Sequence, residues 1–274
     1  MSWFESHGIS RLWYDECGSG TPIVLIHGWC MSSAVWALQR EGLADSYRVI
    51  TLDLRGHGAT PPHPDGFGIR GCAMDIVGLI NNLGVGDVIV AGWSLGALIA
   101  IETLLLCTER VSGLVLISGT PQFVQSVDFP YGVVRSEADG MAKKVCRSVQ
   151  RARDGFLTRM LVPGEDGSGF VHSLLSSVPV PATDVALQAL DALVTADMRD
   201  SLSMISCPTL ILNGDSDVIC LPQASEFMSQ QILTSRQVIF SDCGHVPFLS
   251  QSSKFNECLE GFRVTVNGAP YRQA

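Results

Sequence analysis

Charged side chains are scarce in this chain of 274 residues, at 16% of the total, and those present lean acidic. Eighteen Lys and Arg against 27 Asp and Glu leave a formal net charge of −9. A surplus of negative charge opposes a polyanion, so generic nucleic-acid binding is excluded. An uninterrupted apolar run is also missing, although the mean hydropathy of +0.27 raises the membrane question. The most apolar stretch, Val88 to Cys107, has about the 20 residues a spanning helix needs, but it carries Gly92, Ser94, Gly96 and Glu102. A strand, a tight turn and a helix account for it better, and no membrane partner is expected.

The N-terminus lacks a basic segment followed by an apolar one, so no secretory signal is expected and the mature chain is read as starting here. The nine cysteines form no C-x-x-C pair and have no histidine at zinc-ligand spacing. They read as buried thiols in a reducing compartment, which makes the protein cytoplasmic, with no metal and no cofactor expected. No internal repeat or low-complexity tract is present. What remains is an apolar chain, 46% hydrophobic, long enough for one large core.

From residue 21 onward, short β-branched runs alternate with helical patterns. Strands are predicted at Pro22–Ile26, Tyr47–Leu52, Asp87–Ala91, Val111–Ile117, Pro208–Leu212 and Gln237–Phe240, and helices at Arg70–Leu83, Leu95–Cys107, Pro222–Ile232 and Ser252–Phe262. Continuous apolar strands suit a mostly parallel sheet flanked by helices on both faces, a doubly wound α/β fold. Trp3–His7 and Ile9–Asp15, on either side of His7-Gly8, are predicted to form an antiparallel hairpin at the sheet edge. The rhythm breaks from 121 to 184, where the text turns mixed and helical, interrupted at Gly164–Gly169. An insertion at that point of such a sheet sits over the ligand crevice, so residues 121–184 are read as a helical cap on a core of 1–120 and 185–274.

The sharpest local feature is Gly92-Trp93-Ser94-Leu95-Gly96, directly after a predicted strand and before a predicted helix, the context a G-x-S-x-G nucleophile elbow requires. A serine needs a general base and an orienting carboxylate, here in the order Ser, acid, His. Asn213-Gly214-Asp215-Ser216-Asp217 and Cys243-Gly244-His245 each follow a predicted strand, on the same sheet edge as Ser94. Two aspartates compete. Asp215 immediately follows Gly214 and is expected to shape the turn, leaving Asp217 as the acid. Of the six histidines, His245 alone has the order and strand position of a base; His7, His63 and His172 read as surface residues. His27-Gly28-Trp29 follows the first parallel strand, so the Trp29 and Leu95 backbone N–H groups are the expected oxyanion donors.

His27-Gly28-Trp29, Asp53-Leu-Arg-Gly-His-Gly58, Gly92-Trp-Ser-Leu-Gly96, Gly214-Asp-Ser-Asp217 and Gly244-His-Val-Pro-Phe248 together resemble the α/β-hydrolase superfamily over nearly the whole chain. That resemblance implies a Ser94, Asp217 and His245 triad and makes the Asp53–Gly58 loop structural, His57 included. Leu25-Ile-His-Gly-Trp29 with Trp36, Ala91-Gly-Trp-Ser-Leu-Gly96, and Ala196-Asp-Met-Arg199 leading into Cys207-Pro-Thr-Leu210 are similar to the pimeloyl-[acyl-carrier protein] methyl ester esterase family of biotin synthesis. Ala97 departs from it, standing where a second glycine is common. Phe156 matches in the insertion and is expected to line the acyl channel beside Trp29.

Met141 to Met160 holds six basic residues and one acidic, leaving 12 basic and 26 acidic elsewhere. Lys143, Arg147 and Arg151 fall at i, i+4 and i+8, one stripe of a single helix. With Lys144 they are the candidate contacts for an acidic acyl-carrier protein docking on the cap. The expectation is a monomeric serine carboxylesterase acting on an acyl ester, small or carrier-linked. The alternatives are a broad short-chain carboxylesterase, a C–C bond hydrolase, or a non-catalytic receptor of the same fold.

Overall fold

The β-branched runs become strands of one eight-stranded sheet in the computed structural model, which describes residues 2–6 and 10–268. The strands are β1 (Ser2–Ser6), β2 (Ser10–Cys17), β3 (Thr21–Ile26), β4 (Tyr47–Leu52), β5 (Val88–Trp93), β6 (Val111–Ile117), β7 (Thr209–Gly214) and β8 (Ser235–Phe240). Their order across the sheet is β1-β2-β4-β3-β5-β6-β7-β8. β1 and β2 pair antiparallel at one edge, and β2 is antiparallel to β4. Every later pair is parallel. The His7-Gly8 turn lies outside the described residues.

The helices are α1 (Ala37–Leu43), α2 (Ile69–Asn82), α3 (Leu95–Leu106), α4 (Arg135–Arg147), α5 (Val149–Met160), α6 (Phe170–Ser177), α7 (Thr183–Thr195), α8 (Pro222–Gln231), α9 (Pro247–Ser250) and α10 (Ser252–Val266). β5 is buried at every position, as a central strand covered on both faces should be. α3 is apolar but for Glu102 and Thr103, and buried along most of its length, so the stretch that raised the membrane question is an interior strand, turn and helix. No helix among the described residues is long and apolar enough to cross a membrane.

After β4 the chain returns to pair β5 with the other side of β3. Loops leaving the C-terminal ends of β3 and β5 therefore diverge, and a crevice opens between them where doubly wound sheets bind ligands. β7 and β8 end at the same edge, because Ile117 of β6 pairs with Leu212 and Gly214 pairs with Phe240.

Helices α4 to α7 lie between β6 and β7. The expected boundary at residue 184 falls inside α7, which starts at Thr183, so the helical insertion runs further than its composition suggested. Its two ends are pinned together: Met198 N–H donates to the Pro121 carbonyl at 2.8 Å, and Gln122 forms a β-bridge with Asp197. The expected single basic helix is also corrected. Ser148 is extended (φ −169°, ψ 108°) and ends α4, while its hydroxyl accepts from Arg151 N–H at 3.3 Å and caps α5. Serine competes for backbone donors and so favours a cap over a helix interior. Lys143 and Arg147 consequently lie on α4 and Arg151 on α5, with no continuous stripe.

Beneath the crevice, the Asp53–Gly58 loop is held by charge. Asp53 accepts from Ser33 N–H and Ala59 N–H, both at 2.7 Å. Arg55 forks onto Asp75 of α2, with Nε to Oδ2 at 2.5 Å and Nη2 to Oδ1 at 2.9 Å, both residues buried. Removing one partner of a buried pair leaves the other charge uncompensated. Asp75→Ala should therefore lower unfolding stability by about 3 to 5 kcal/mol, seen as a lower urea midpoint at unchanged slope. A midpoint equal to that of the parent chain would show the pair to be dispensable.

Candidate active site

Ser94 follows β5 with φ 57° and ψ −117°, a backbone conformation that L-residues other than glycine rarely adopt. It is reached only because the flanking glycines let backbones meet. A Cβ on Gly92 would stand 2.0 Å from the Gly96 carbonyl oxygen, and one on Gly96 would stand 2.5 Å from that of Ile26. Among the described residues, all four non-glycine residues with positive φ, namely Cys30, Ser94, Ser118 and Asp242, lie in loops leaving the C-terminal ends of strands. Backbone strain collects at this one edge, as it does around functional sites. Ser94 N–H donates to the Ile117 carbonyl at 2.9 Å, locking the turn to β6.

His245 and Asp217 meet beside it, both buried. His245 Nδ1 lies 2.7 Å from Asp217 Oδ2. The other carboxylate oxygen accepts from Ile219 N–H at 2.8 Å and Cys220 N–H at 3.0 Å, so the acid is immobilised by its own turn. Asp215 points elsewhere, accepting from Asp242 N–H, Cys243 N–H and the Ser216 hydroxyl. The Trp93 indole N–H donates to the His245 carbonyl at 2.9 Å. His245 Nε2 is buried and has no hydrogen-bond partner among the described residues, the Ser94 hydroxyl included. Such bonds are often long without substrate and tighten in the reacting complex.

The His27-Gly28-Trp29 loop packs onto the elbow: a Cβ on Gly28 would lie 3.3 Å from Ser94 Cβ. Neither the Trp29 nor the Leu95 backbone N–H has an acceptor among the described residues. Leu95 is the first residue of α3, where helix geometry leaves N–H groups unpaired and the dipole favours negative charge. Sequence reasoning missed Cys220, whose fully buried thiol sits against the Ser94 hydroxyl. Burial, aided by the charge of Asp217, pushes that thiol well up, so it stays protonated beside the serine.

His27 and His57 lie under the loop, ring centroids 5.3 Å apart. His27 Nε2 accepts the Leu54 N–H at 3.0 Å and its Nδ1 side faces the Gly28 carbonyl at 2.8 Å, a pattern that needs the neutral ring. Burial lowers His27 to about 4, and burial plus the neighbouring His27 lowers His57 to about 3. Both are structural supports rather than bases.

Helices of the insertion pack against Trp29 and His245. Trp29 stands edge-on to Phe156 at 5.4 Å and donates its indole N–H to the Ala186 carbonyl of α7 at 2.9 Å. Phe156 in turn stands edge-on to His245 at 6.3 Å. Beside them a cavity of about 180 Å³ is lined by Trp29, Phe156, Met141, Lys144, Arg151 and Arg159 among others. Of the predicted basic contacts the structure brings Lys144 and Arg151 to this cavity. Lys143 and Arg147 stay on the exposed surface of α4. Arg159, missed from sequence, joins the lining and pairs with Glu137 at 2.5 Å. Arg153 is removed from the basic surface altogether, its guanidinium buried against the Val178 and Ser176 carbonyls.

A serine on a strained strand-to-helix turn, a histidine and aspartate on later loops of the same sheet edge, and a helical cap above them define an α/β hydrolase. Residues 21–251 match the family described as alpha/beta hydrolase fold, and the chain belongs to it. Within that family it sides with the carboxylic ester hydrolases. The pimeloyl-[acyl-carrier protein] methyl ester esterase of Nitrosomonas europaea is 36% identical over 256 residues, covering 90% of this chain and 97% of that protein. Its counterpart in Nitrosospira multiformis is 32% identical over 254 residues, covering 90% and 96%. Among solved structures, an esterase from Exiguobacterium antarcticum superposes with a TM-score of 0.88 at 28% identity, covering 97% of this chain and 99% of that one.

The two buried histidines set an acid limit. Their folded values lie below the ordinary 6.5, so the unfolded chain takes up protons first. Their contribution is complete above pH 6.5 and is lost as pH falls through 4 toward 3. In that window each histidine tilts stability by at most about 1.4 kcal/mol per pH unit. Urea midpoints should fall from pH 7 to pH 5, and less steeply in His57→Phe. An identical slope in the variant would exclude His57 from the acid response.

Proposed function

We propose that the protein is a serine carboxylesterase that forms an acyl-enzyme on Ser94. The observation that carries this reading is the buried 2.7 Å contact between His245 and Asp217 beside a serine held at φ 57°. In this reading Ser94 attacks the ester carbonyl as His245 Nε2 takes its proton. Asp217 keeps the Nδ1–H tautomer and offsets the imidazolium charge, and the Trp29 and Leu95 N–H groups receive the oxyanion. His245 then protonates the departing alcohol. Water deprotonated by the same ring attacks the acyl-enzyme, and the acid leaves.

We further propose that the substrate is the methyl ester of pimeloyl-acyl-carrier protein, with methanol as the alcohol and biotin synthesis as the setting. The names of the curated relatives support this, and so does the chemistry of the cavity. Trp29, Met141 and Phe156 offer an apolar wall for an acyl chain. Lys144 and Arg151, which make no ion pair among the described residues, offer positive charge to an acidic carrier and the phosphate of its prosthetic arm. Arg147 and Lys143, exposed on α4, extend that surface outward.

Ser94→Ala should reduce hydrolysis of p-nitrophenyl acetate by about 10⁴-fold or more, and an unchanged rate would refute the assignment of the nucleophile. Substrate class is tested by assaying pimeloyl-carrier methyl ester and p-nitrophenyl acetate side by side. Reversing the charges with Arg147→Glu and Arg151→Glu should lower kcat/KM about tenfold or more on the carrier-linked ester and leave the free ester alone. Equal effects on both would point to a broad short-chain esterase.

A further inference from the structure

We infer that Glu165, a residue of the cap, is a positioning residue for His245, and that through it the cap holds the base in register with Ser94. The inference rests on His245 being the base. The loop from β8 to α9 must present an imidazole at a fixed point, and it is fastened from two sides. From the core, Ser216 N–H donates to the Cys243 carbonyl at 3.0 Å, the Gln251 side chain to the Ser241 carbonyl at 2.8 Å and the Trp93 indole to the His245 carbonyl at 2.9 Å. Asp242 within it has φ 53°, and the contacts of Asp242 and Cys243 N–H with Asp215 are long, at 3.2 and 3.3 Å.

The cap supplies the acceptors for the two backbone N–H groups at the histidine itself. Gly244 N–H donates to Glu165 Oε2 at 3.0 Å, and His245 N–H donates to the Met160 carbonyl at 2.7 Å. The same Glu165 oxygen accepts Val162 N–H at 2.8 Å. One carboxylate oxygen thus closes the turn that follows α5 and fastens that turn to the residue preceding His245. The approach is as close as a backbone allows. A Cβ on Gly244 would stand 2.2 Å from the Met160 carbonyl oxygen and 3.1 Å from Glu165 Oε2, so only glycine fits.

Glu165 forms no ion pair among the described residues, and its Oε1 is buried without a hydrogen-bond partner. Oε2 takes both backbone N–H groups, and the Cys243 thiol of the same loop interacts with the carboxylate as well. A carboxylate oxygen buried without a hydrogen bond is retained at a cost, which fits a role in placing the loop better than one in stabilising the cap. Phe156, one turn before Met160 on α5, meets the imidazole edge-on. Anything that shifts α5, including a substrate wedged between Phe156 and Trp29, acts on the base as well as on the pocket.

Catalytic side chains must be held to within about 0.5 Å, and a misplacement of about 1 Å can cost about 10²-fold in rate. With p-nitrophenyl acetate, which needs no carrier, Glu165→Ala should lower kcat about tenfold or more while KM stays within about twofold. Glu165→Gln, whose amide oxygen can accept the same two N–H groups, should recover kcat to within about threefold of the parent. If the alanine variant does not fold, Glu165→Asp, which keeps the charge but withdraws the acceptor by one methylene, should show the same loss confined to kcat. Parent-like kcat in Ala or Asp, equal losses in Ala and Gln, or a change in KM alone would overturn the inference. His245→Ala, run alongside, separates the two ideas: turnover surviving in that variant would remove the base assignment itself.

Discussion

The φ of 57° at Ser94 is the constraint on which the rest of the site depends. It can exist only if β5 and α3 come within backbone contact of each other and of β3, and Gly92 and Gly96 are the positions where a single methyl group would prevent that. The strain is held by the burial of β5 and α3 on both sides of the turn and by the Ser94 to Ile117 hydrogen bond. In return the hydroxyl stands at the N-terminus of a buried helix, near the Leu95 and Trp29 N–H groups, which have no acceptor among the described residues. In the proposed mechanism these are the donors an oxyanion would meet, set before any ligand arrives.

Everything else at the site is arranged around that fixed point by two kinds of restraint. Aspartates anchor loops through backbone N–H groups: Asp53 holds the loop of Arg55 and His57, Asp217 holds its own turn with one oxygen and faces His245 with the other, and Asp215 gathers the residues before His245. Neutral buried histidines and aromatic edges fill the space between. The cap supplies the second kind, through Trp29 to Ala186, Met160 to His245 and Glu165 to Gly244. Core and helical insertion thus touch at Gly244 and His245.

The sheet could be read from the sequence because buried parallel strands announce themselves as β-branched runs, and because topology then forces the loops bearing Ser94, Asp217 and His245 to one edge. Asp217 could be separated from Asp215 by its distance from Gly214. The cap was less legible. The basic run from Met141 to Met160 keeps helical spacing throughout, and periodicity is blind to one extended residue at Ser148. Arg153 and Glu165 are charged residues in a polar stretch, and nothing local marks the first as buried against the Val178 carbonyl or the second as bound to the Gly244 N–H. Their partners are 25 and 79 residues away, and only the folded chain brings them together. Cys220 was hidden for the same reason, one of nine thiols without a motif.

Stoichiometric phosphorylation by diethyl p-nitrophenyl phosphate tests most directly whether Ser94 is the nucleophile. One diethylphosphoryl group per chain, located on the peptide containing Ser94 by mass spectrometry and appearing in step with loss of esterase activity, is the predicted result. An adduct on another residue, or hydrolysis that persists in fully modified protein, would contradict it.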